Sequence, residues 1–185
     1  MSGIEWLAAM LGLANVWLIV KRSVWNYPFA LAMCGLYLFI FYEAKLYSDA
    51  GLQIFFIAIN IYGWAAWVKN RADAGEVVVE RLMVPERWIW AVGTLGLCAL
   101  WGTGMARMTD ASYPYWDGSV AMISIVSQIL MAQRKAENWV GWIIVNMLSI
   151  PLYLVKGLYP TMVLYTILLG MAVIGWLQWK ARALS

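Results

Sequence analysis

The sequence predicts an all-α integral membrane protein of seven transmembrane helices, arranged as a parallel three-plus-one-plus-three repeat. Three observations carry that expectation. Of the 185 residues, 64% are hydrophobic and 12% charged, about half the charged share of an ordinary soluble domain, and the mean hydropathy is +0.71. The apolar runs are continuous and lack the alternation of a barrel strand. Shifted by 112 residues without gaps, the chain matches itself at Leu18/Leu130, Arg22/Arg134, Asn26/Asn138, Leu36/Leu148, Leu46/Leu158, Tyr47/Tyr159, Leu52/Leu164, Gly63/Gly175, Trp64/Trp176 and Trp67/Trp179. Leucine matches are cheap in such a composition. The Arg, Asn, Tyr, Gly-Trp and Trp matches are not, and they fall at corresponding loops and helix ends.

Taken in order, the spans are judged against the roughly 20 apolar residues that a bilayer requires. The first is 4–20. No cleavable signal pattern precedes it, so this run is expected to stay as a membrane helix. The second, 27–42, carries Pro28 in its first turn, where proline is tolerated. The third is 52–68. A charged segment, 69–87, leads to the fourth span at 88–103, and an interfacial loop with Pro114 leads to the fifth at 118–132. The sixth, 139–155, contains Pro151, where a kink is expected. The seventh is 161–179. The repeat then divides the chain into residues 1–68, a linker with the fourth helix over 69–117, and residues 118–185. The offset crosses an even number of spans, so both repeats should have the same orientation, a known transporter architecture with its substrate site near the midplane.

Lysines and arginines set the orientation. One side collects Lys21, Arg22, Lys69, Arg71, Arg81, Arg87, Arg134, Lys135, Lys180 and Arg182, and the other only Lys45, Arg107 and Lys156. The positive-inside rule places the first group, and with it the C-terminus, in the cytoplasm. The N-terminus is then outside.

Several functions are excluded or disfavoured. The chain has no histidine, so His-dependent catalysis and His metal sites are out. Cys34 and Cys98 sit in apolar runs and read as small buried hydrophobes. No Gly-rich phosphate loop with a lysine occurs. No cofactor, no metal and no nucleic-acid partner is expected, and no enzyme constellation appears. Glu5, Glu43, Asp49, Asp110, Asp117 and Glu137 all lie at span ends or in loops. A carboxylate at depth is the usual proton or sodium relay, so its absence from mid-span points to facilitated diffusion.

Two helical faces stand out. Gln53, Asn60, Trp64 and Trp67 fall at i, i+7, i+11 and i+14, on one side of the third span. Trp139, Trp142, Asn146, Ser149 and Tyr153 make a comparable face on the sixth, and the fifth offers Ser124, Ser127 and Gln128. An amide at membrane depth is costly unless it has a partner, and aromatic faces beside amides suit a flat cationic ligand. Packing alternatives exist: helix–helix hydrogen bonds for the polar residues, and an interfacial belt for the tryptophans. Asn60 has Ala172 as its repeat counterpart and Gln53 has Tyr165. The shared tryptophans thus read as more architectural than the unshared amides, with Trp67 on the structural side and Trp64 between the two.

The stretches LQIFFIAINIYGWAAW and YWDGSVAMISIVSQILMAQRKAENWVGWIIVN resemble the PnuC-type vitamin transporters of bacteria. The resemblance runs from the second to the seventh span. Asn60 and Trp64 meet the family's Asn-x-x-x-Trp, Trp139 and Trp142 its Trp-x-x-Trp, and Gln53 and Trp116-Asp117 fit its pattern. It implies a three-one-three fold similar to that of SWEET sugar transporters, often a homotrimer. It also implies uptake of nicotinamide riboside across the bacterial inner membrane by facilitated diffusion, with trapping by a separate cytoplasmic kinase. Asn60, Trp64, Trp139 and Trp142 carry the substrate role over from the motifs, while Gln53, Gln128 and Asn146 are added from the helical faces. Relatives for thiamine and other vitamins keep a thiamine uniporter open. A non-transporting membrane receptor is a reading from another class.

Overall fold

The computed structural model describes residues 3–43, 47–69, 77–108, 113–155 and 159–183. Lys45, Leu46, Arg71, Asp110, Lys156 and Leu158 lie outside them. Seven helices are present among the described residues: α1 (Gly3–Val20), α2 (Asn26–Glu43), α3 (Tyr47–Lys69), α4 (Val84–Met108), α5 (Pro114–Ala132), α6 (Asn138–Val155) and α7 (Tyr159–Arg182). Among the described residues there is no strand, only one isolated parallel bridge between Glu80 and Lys135.

The helix count and type match the sequence expectation, but several helices outrun their apolar spans. α3 starts at Tyr47, five residues before its apolar span, and α5 starts at Pro114, inside what reads as an interfacial loop. Hydropathy marks only the part of a helix that sits in hydrocarbon, whereas helical bonding continues into polar flanks. Pro114 is well placed at a first helical position, where its missing N–H costs nothing. α4 begins four residues earlier than its apolar run, on a local cap. Glu86 reaches back to accept from the Met83 N–H at 2.8 Å, and the Arg87 N–H donates to the Met83 carbonyl at 3.0 Å. This is half of a capping box.

The chain forms two compact units. The first, Met1–Val78 with Ala132–Arg134, packs α1 on α2 and α2 on α3. The second, Val79–Met131 with Lys135–Ser185, holds α4, most of α5, and the α6–α7 hairpin. In it α4 meets α5 where Cys98 Sγ lies 3.9 Å from the Ser119 carbonyl, and Leu82, Val126 and Leu130 cluster with Trp90. Cys34 and Cys98 are free and buried, as expected for small hydrophobes.

Apolar side chains cover the outside. Trp88, Ile89, Val92, Leu95, Leu100 and Met108 of α4 are all exposed, which suits a surface solvated by lipid rather than water. Val84–Met108 and the Met162–Arg182 stretch of α7 are long and apolar enough to cross a bilayer.

Helices 112 residues apart have matching bounds, and their junctions match in detail. α1 ends with the Ser23 N–H on the Leu18 carbonyl at 3.0 Å and α5 with the Lys135 N–H on the Leu130 carbonyl at 2.9 Å, the long bond of a Schellman cap. The residue that such a cap places in the left-handed region is Arg22 (φ 55°) in one case and Arg134 (φ 63°) in the other. Asn26 Nδ2 then donates to the Ser23 carbonyl and Asn138 Nδ2 to the Lys135 carbonyl, both at 2.7 Å. The first turn of α2 places Tyr27 edge-on to Trp67 of α3, with centroids 5.3 Å apart. That of α6 places Trp139 edge-on to Trp179 of α7, 5.7 Å apart.

The segment before α4 is more than a charged connector. Val77, Val79 and Leu82 are buried. In the first unit, the Val77 N–H donates to the Arg22 carbonyl at 3.2 Å, Arg22 Nη1 to the Val77 carbonyl at 3.3 Å, and Arg134 Nη1 to the Val78 carbonyl at 2.9 Å. In the second, the Ala136 N–H donates to the Glu80 carbonyl at 2.9 Å and Lys135 pairs with Glu80 at 2.8 Å. Glu137 accepts from the Leu82 N–H at 3.0 Å and from Arg87 Nε at 3.1 Å.

Candidate substrate site

In the first unit, α3 carries the three proposed residues at helical spacing. Asn60 is buried, Gln53 half-buried, and Trp64 36% exposed. Asn60 Nδ2 donates to the Phe56 carbonyl, four residues back, at 2.8 Å. Trp67, on the same stripe, is fully buried. Its ring is spent on Tyr27, which also fills the space over Gly63: a Cβ there would come within 2.7 Å of the Tyr27 hydroxyl. The structure thus separates the two tryptophans that close this helix. Trp67 packs, and Trp64 stays open.

In the second unit, α5 and α6 approach closely at one point. Gly141 has so little room that a Cβ would clash with the Ser127 hydroxyl. Ser127 is buried and donates to the Ile123 carbonyl at 2.7 Å. Gln128 follows Ser127 directly and Trp142 follows Gly141, so both leave their helices beside this crossing. Gln128 is buried and Trp142 half-buried. One turn further, Asn146 is buried, and its Nδ2 donates to the Trp142 carbonyl at 2.8 Å. Ser149, on the same face, is fully buried, and its hydroxyl has no partner among the described residues. The side chain of Tyr153 lies outside the described residues.

Trp139 stands apart from Trp142. It is 2% exposed and held between Trp179 and the bare backbone at Gly175, where a Cβ would meet the indole at 2.5 Å. Tyr27 occupies the equivalent socket in the first unit, a correspondence that residue identity hides because the two rings differ.

Asn60 and Asn146 are not repeat counterparts, yet they adopt the same state. Each is a buried amide that returns one N–H to the carbonyl of its own preceding turn. A carboxamide also carries a second N–H and an Oδ1 acceptor, the kinds of group that a polar ligand meets. Beside each stands a tryptophan, Trp64 or Trp142. Such a pair can hydrogen-bond a polar substituent and hold a flat ring by stacking or cation–π contact. Among the described residues no group of histidine, cysteine or carboxylate side chains could hold a metal ion.

Comparison with known proteins identifies the family. The family model described as nicotinamide mononucleotide transporter matches residues 2–181. The chain is 29% identical to the nicotinamide riboside transporter PnuC of Escherichia coli, over 97% of this chain and 85% of that protein. It is 28% identical to the riboflavin/roseoflavin transporter RibM of Streptomyces davaonensis, over 94% of this chain and 83% of that one. The crystal structure of the vitamin B3 transporter PnuC superposes with a TM-score of 0.78 at 27% identity, covering 97% of this chain and 81% of that one. The match runs through every helix described above, and the chain belongs to the nicotinamide mononucleotide transporter family, that of the PnuC-type membrane transporters.

Proposed function

We propose that this protein takes up nicotinamide riboside across the bacterial inner membrane by facilitated diffusion, and that a separate cytoplasmic kinase traps the imported substrate by phosphorylating it. The observation that carries the proposal is the pair of buried amides, Asn60 and Asn146, each one turn from a tryptophan that is not packed away. Nicotinamide riboside offers a flat cationic ring, a carboxamide and ribose hydroxyls, which such groups can recognise. Gln53, Asn60 and Trp64 of the first unit and Gln128, Trp139, Trp142 and Asn146 of the second are proposed to serve this substrate. The deep burial of Trp139 gives it a supporting part, fixing the first turn of α6 from which Trp142 and Asn146 project.

The three-plus-one-plus-three organisation belongs to the same proposal, with residues 1–68 and 118–185 as repeats and 69–117 as the linker with α4. It is supported by the matched helix bounds, caps and aromatic sockets 112 residues apart. The lysine and arginine distribution supports an outside N-terminus and a cytoplasmic C-terminus. The family resemblance supports a homotrimer. Passive transport is supported by the placement of acidic residues at helix ends and loops in the sequence.

Calorimetric titration of the purified protein with nicotinamide riboside, thiamine and riboflavin tests the substrate. Riboflavin enters because of the relative named for it. Saturable binding of nicotinamide riboside alone is expected. Uptake of labelled nicotinamide riboside into proteoliposomes without an imposed ion gradient is expected too. Uptake that requires a proton or sodium gradient would contradict the passive mechanism, and binding without uptake would make the protein a receptor.

A further inference from the structure

We propose that Trp116 is a positioning residue for the face of α6 that carries Trp142 and Asn146, holding that helix through the backbone beside the gap left by Pro151. Pro151 lies inside α6. Lacking an N–H, it leaves the Met147 carbonyl without its usual i+4 donor, and its ring crowds that same carbonyl. The next carbonyl along, that of Leu148, accepts a hydrogen bond from outside the helix: Trp116 Nε1 of α5 donates to it at 3.0 Å. In membranes, neighbouring helices and their side chains commonly satisfy backbone groups near a proline. Here a single indole bonds the carbonyl next to the freed one, two residues beyond Asn146.

Trp116 is fixed for the task. It is half-buried in the first turn of α5, where the Asp117 N–H bonds the Tyr113 carbonyl at 2.9 Å. The Tyr113 ring meets it edge-on at 6.1 Å. A second observation marks the same stretch of α6. The Ser149 hydroxyl is fully buried and has no partner among the described residues, although a helical serine ordinarily bonds the carbonyl one turn back. The segment between Asn146 and Pro151 therefore has an interrupted ladder, an unpaired hydroxyl and one external tether. The orientation of the Asn146 amide depends on that tether, because the tethered carbonyl is only half a turn away.

The proposal rests on Asn146 serving the substrate, and the experiment separates the two. Trp116→Phe keeps an aromatic ring and removes the donor. Pro151→Ala restores the missing N–H. In the wild-type background, Trp116→Phe should weaken nicotinamide riboside binding about five-fold by calorimetry, the size of one neutral hydrogen bond. In the Pro151→Ala background it should weaken binding by less than about two-fold, since the closed ladder holds α6 by itself. Equal losses in both backgrounds, or wild-type affinity in Trp116→Phe, would overturn the proposal.

A substrate-free readout accompanies it. Leu154 is exposed just past Pro151. In protein with Cys34 and Cys98 replaced by alanine, Leu154→Cys should react faster with a soluble maleimide when Trp116→Phe is present, and not when Pro151→Ala is added. Unchanged labelling throughout would overturn the tether. Altered labelling together with wild-type affinity in Asn146→Ala would overturn the site assignment alone. Should Trp116→Phe fail to purify, Pro151→Ala is expected to restore its yield, and failure in both backgrounds rejects the tether.

Discussion

Trp139 meets Trp179 edge-on with 5.7 Å between ring centroids, and the indole of Trp139 lies flat over a glycine, Gly175, that no larger residue could replace without displacing it. The first unit repeats the construction with Tyr27, Trp67 and Gly63. Edge-to-face pairs contribute about 0.5–1.5 kcal/mol beyond simple burial. Gly175→Ala and Gly63→Ala should each lower stability by roughly 1–3 kcal/mol through overpacking. Gly170→Ala is the control, since a Cβ there meets nothing within 4 Å. Thermal unfolding in detergent checks this, and equal midpoints for Gly170→Ala and Gly175→Ala would contradict the socket.

Arg134 is held in a conformation that glycine prefers, and its guanidinium bonds the Val78 carbonyl. A left-handed backbone costs a non-glycine residue about 1–2 kcal/mol, while a charged hydrogen bond contributes about 1.5–3 kcal/mol. Arg134→Ala loses the bond and keeps the strain. Arg134→Gly loses the bond and releases the strain. The alanine variant should therefore be the less stable by about 1 kcal/mol, and both should fall below wild type. A glycine variant more stable than wild type would show that the guanidinium bond contributes little.

Trp67 and Asn60 lie on one face of α3 but should fail differently. Asn60→Ala should weaken nicotinamide riboside binding roughly ten-fold, equivalent to about 1.4 kcal/mol, while the protein still purifies and unfolds at a similar temperature. Trp67→Phe should do the reverse, lowering the unfolding temperature through lost contact with Tyr27 and leaving affinity within about two-fold. Calorimetry and thermal unfolding on both variants decide. Loss of affinity in Trp67→Phe without loss of stability would add that residue to the site.

Glu137 joins the start of α6 to the segment before α4, through the Leu82 N–H and Arg87. Glu137→Gln keeps one acceptor for the N–H and removes the charge facing Arg87. Because the Arg87 side chain is 40% exposed, the pair is screened, and the loss should be no more than about 1 kcal/mol. It should shrink further at high salt. Chemical denaturation at low and high ionic strength measures it, and a salt-independent loss above that size would assign the carboxylate a buried role.

Much of this was legible in the chain. Continuous apolar runs set the helix number and class. Arg22/Arg134 and Asn26/Asn138 showed through because a left-handed cap followed by a side-chain-to-backbone bond admits few residue types. The amide-and-tryptophan faces of α3 and α6 followed from helical spacing alone. The Tyr27–Trp139 equivalence was hidden because a packing socket selects for shape and not identity. Likewise, hydropathy reads Val77–Leu82 by its charges, and three successive valines do not show which of them is buried; the fold buries Val77 and Val79.

What the sequence by itself determined is therefore periodic or local: span number, helical faces, cap chemistry, and the absence of mid-span carboxylates. What only the tertiary structure decided is which member of each face is spent on packing. Trp64 and Trp67 share a stripe, yet Tyr27 covers only one of them; Trp139 and Trp142 share another, yet Trp179 covers only one. The tether from Trp116 to the Leu148 carbonyl belongs to the same class. A backbone acceptor beside a proline leaves no mark on residue identity, and its donor comes from another helix, 32 residues earlier in the chain.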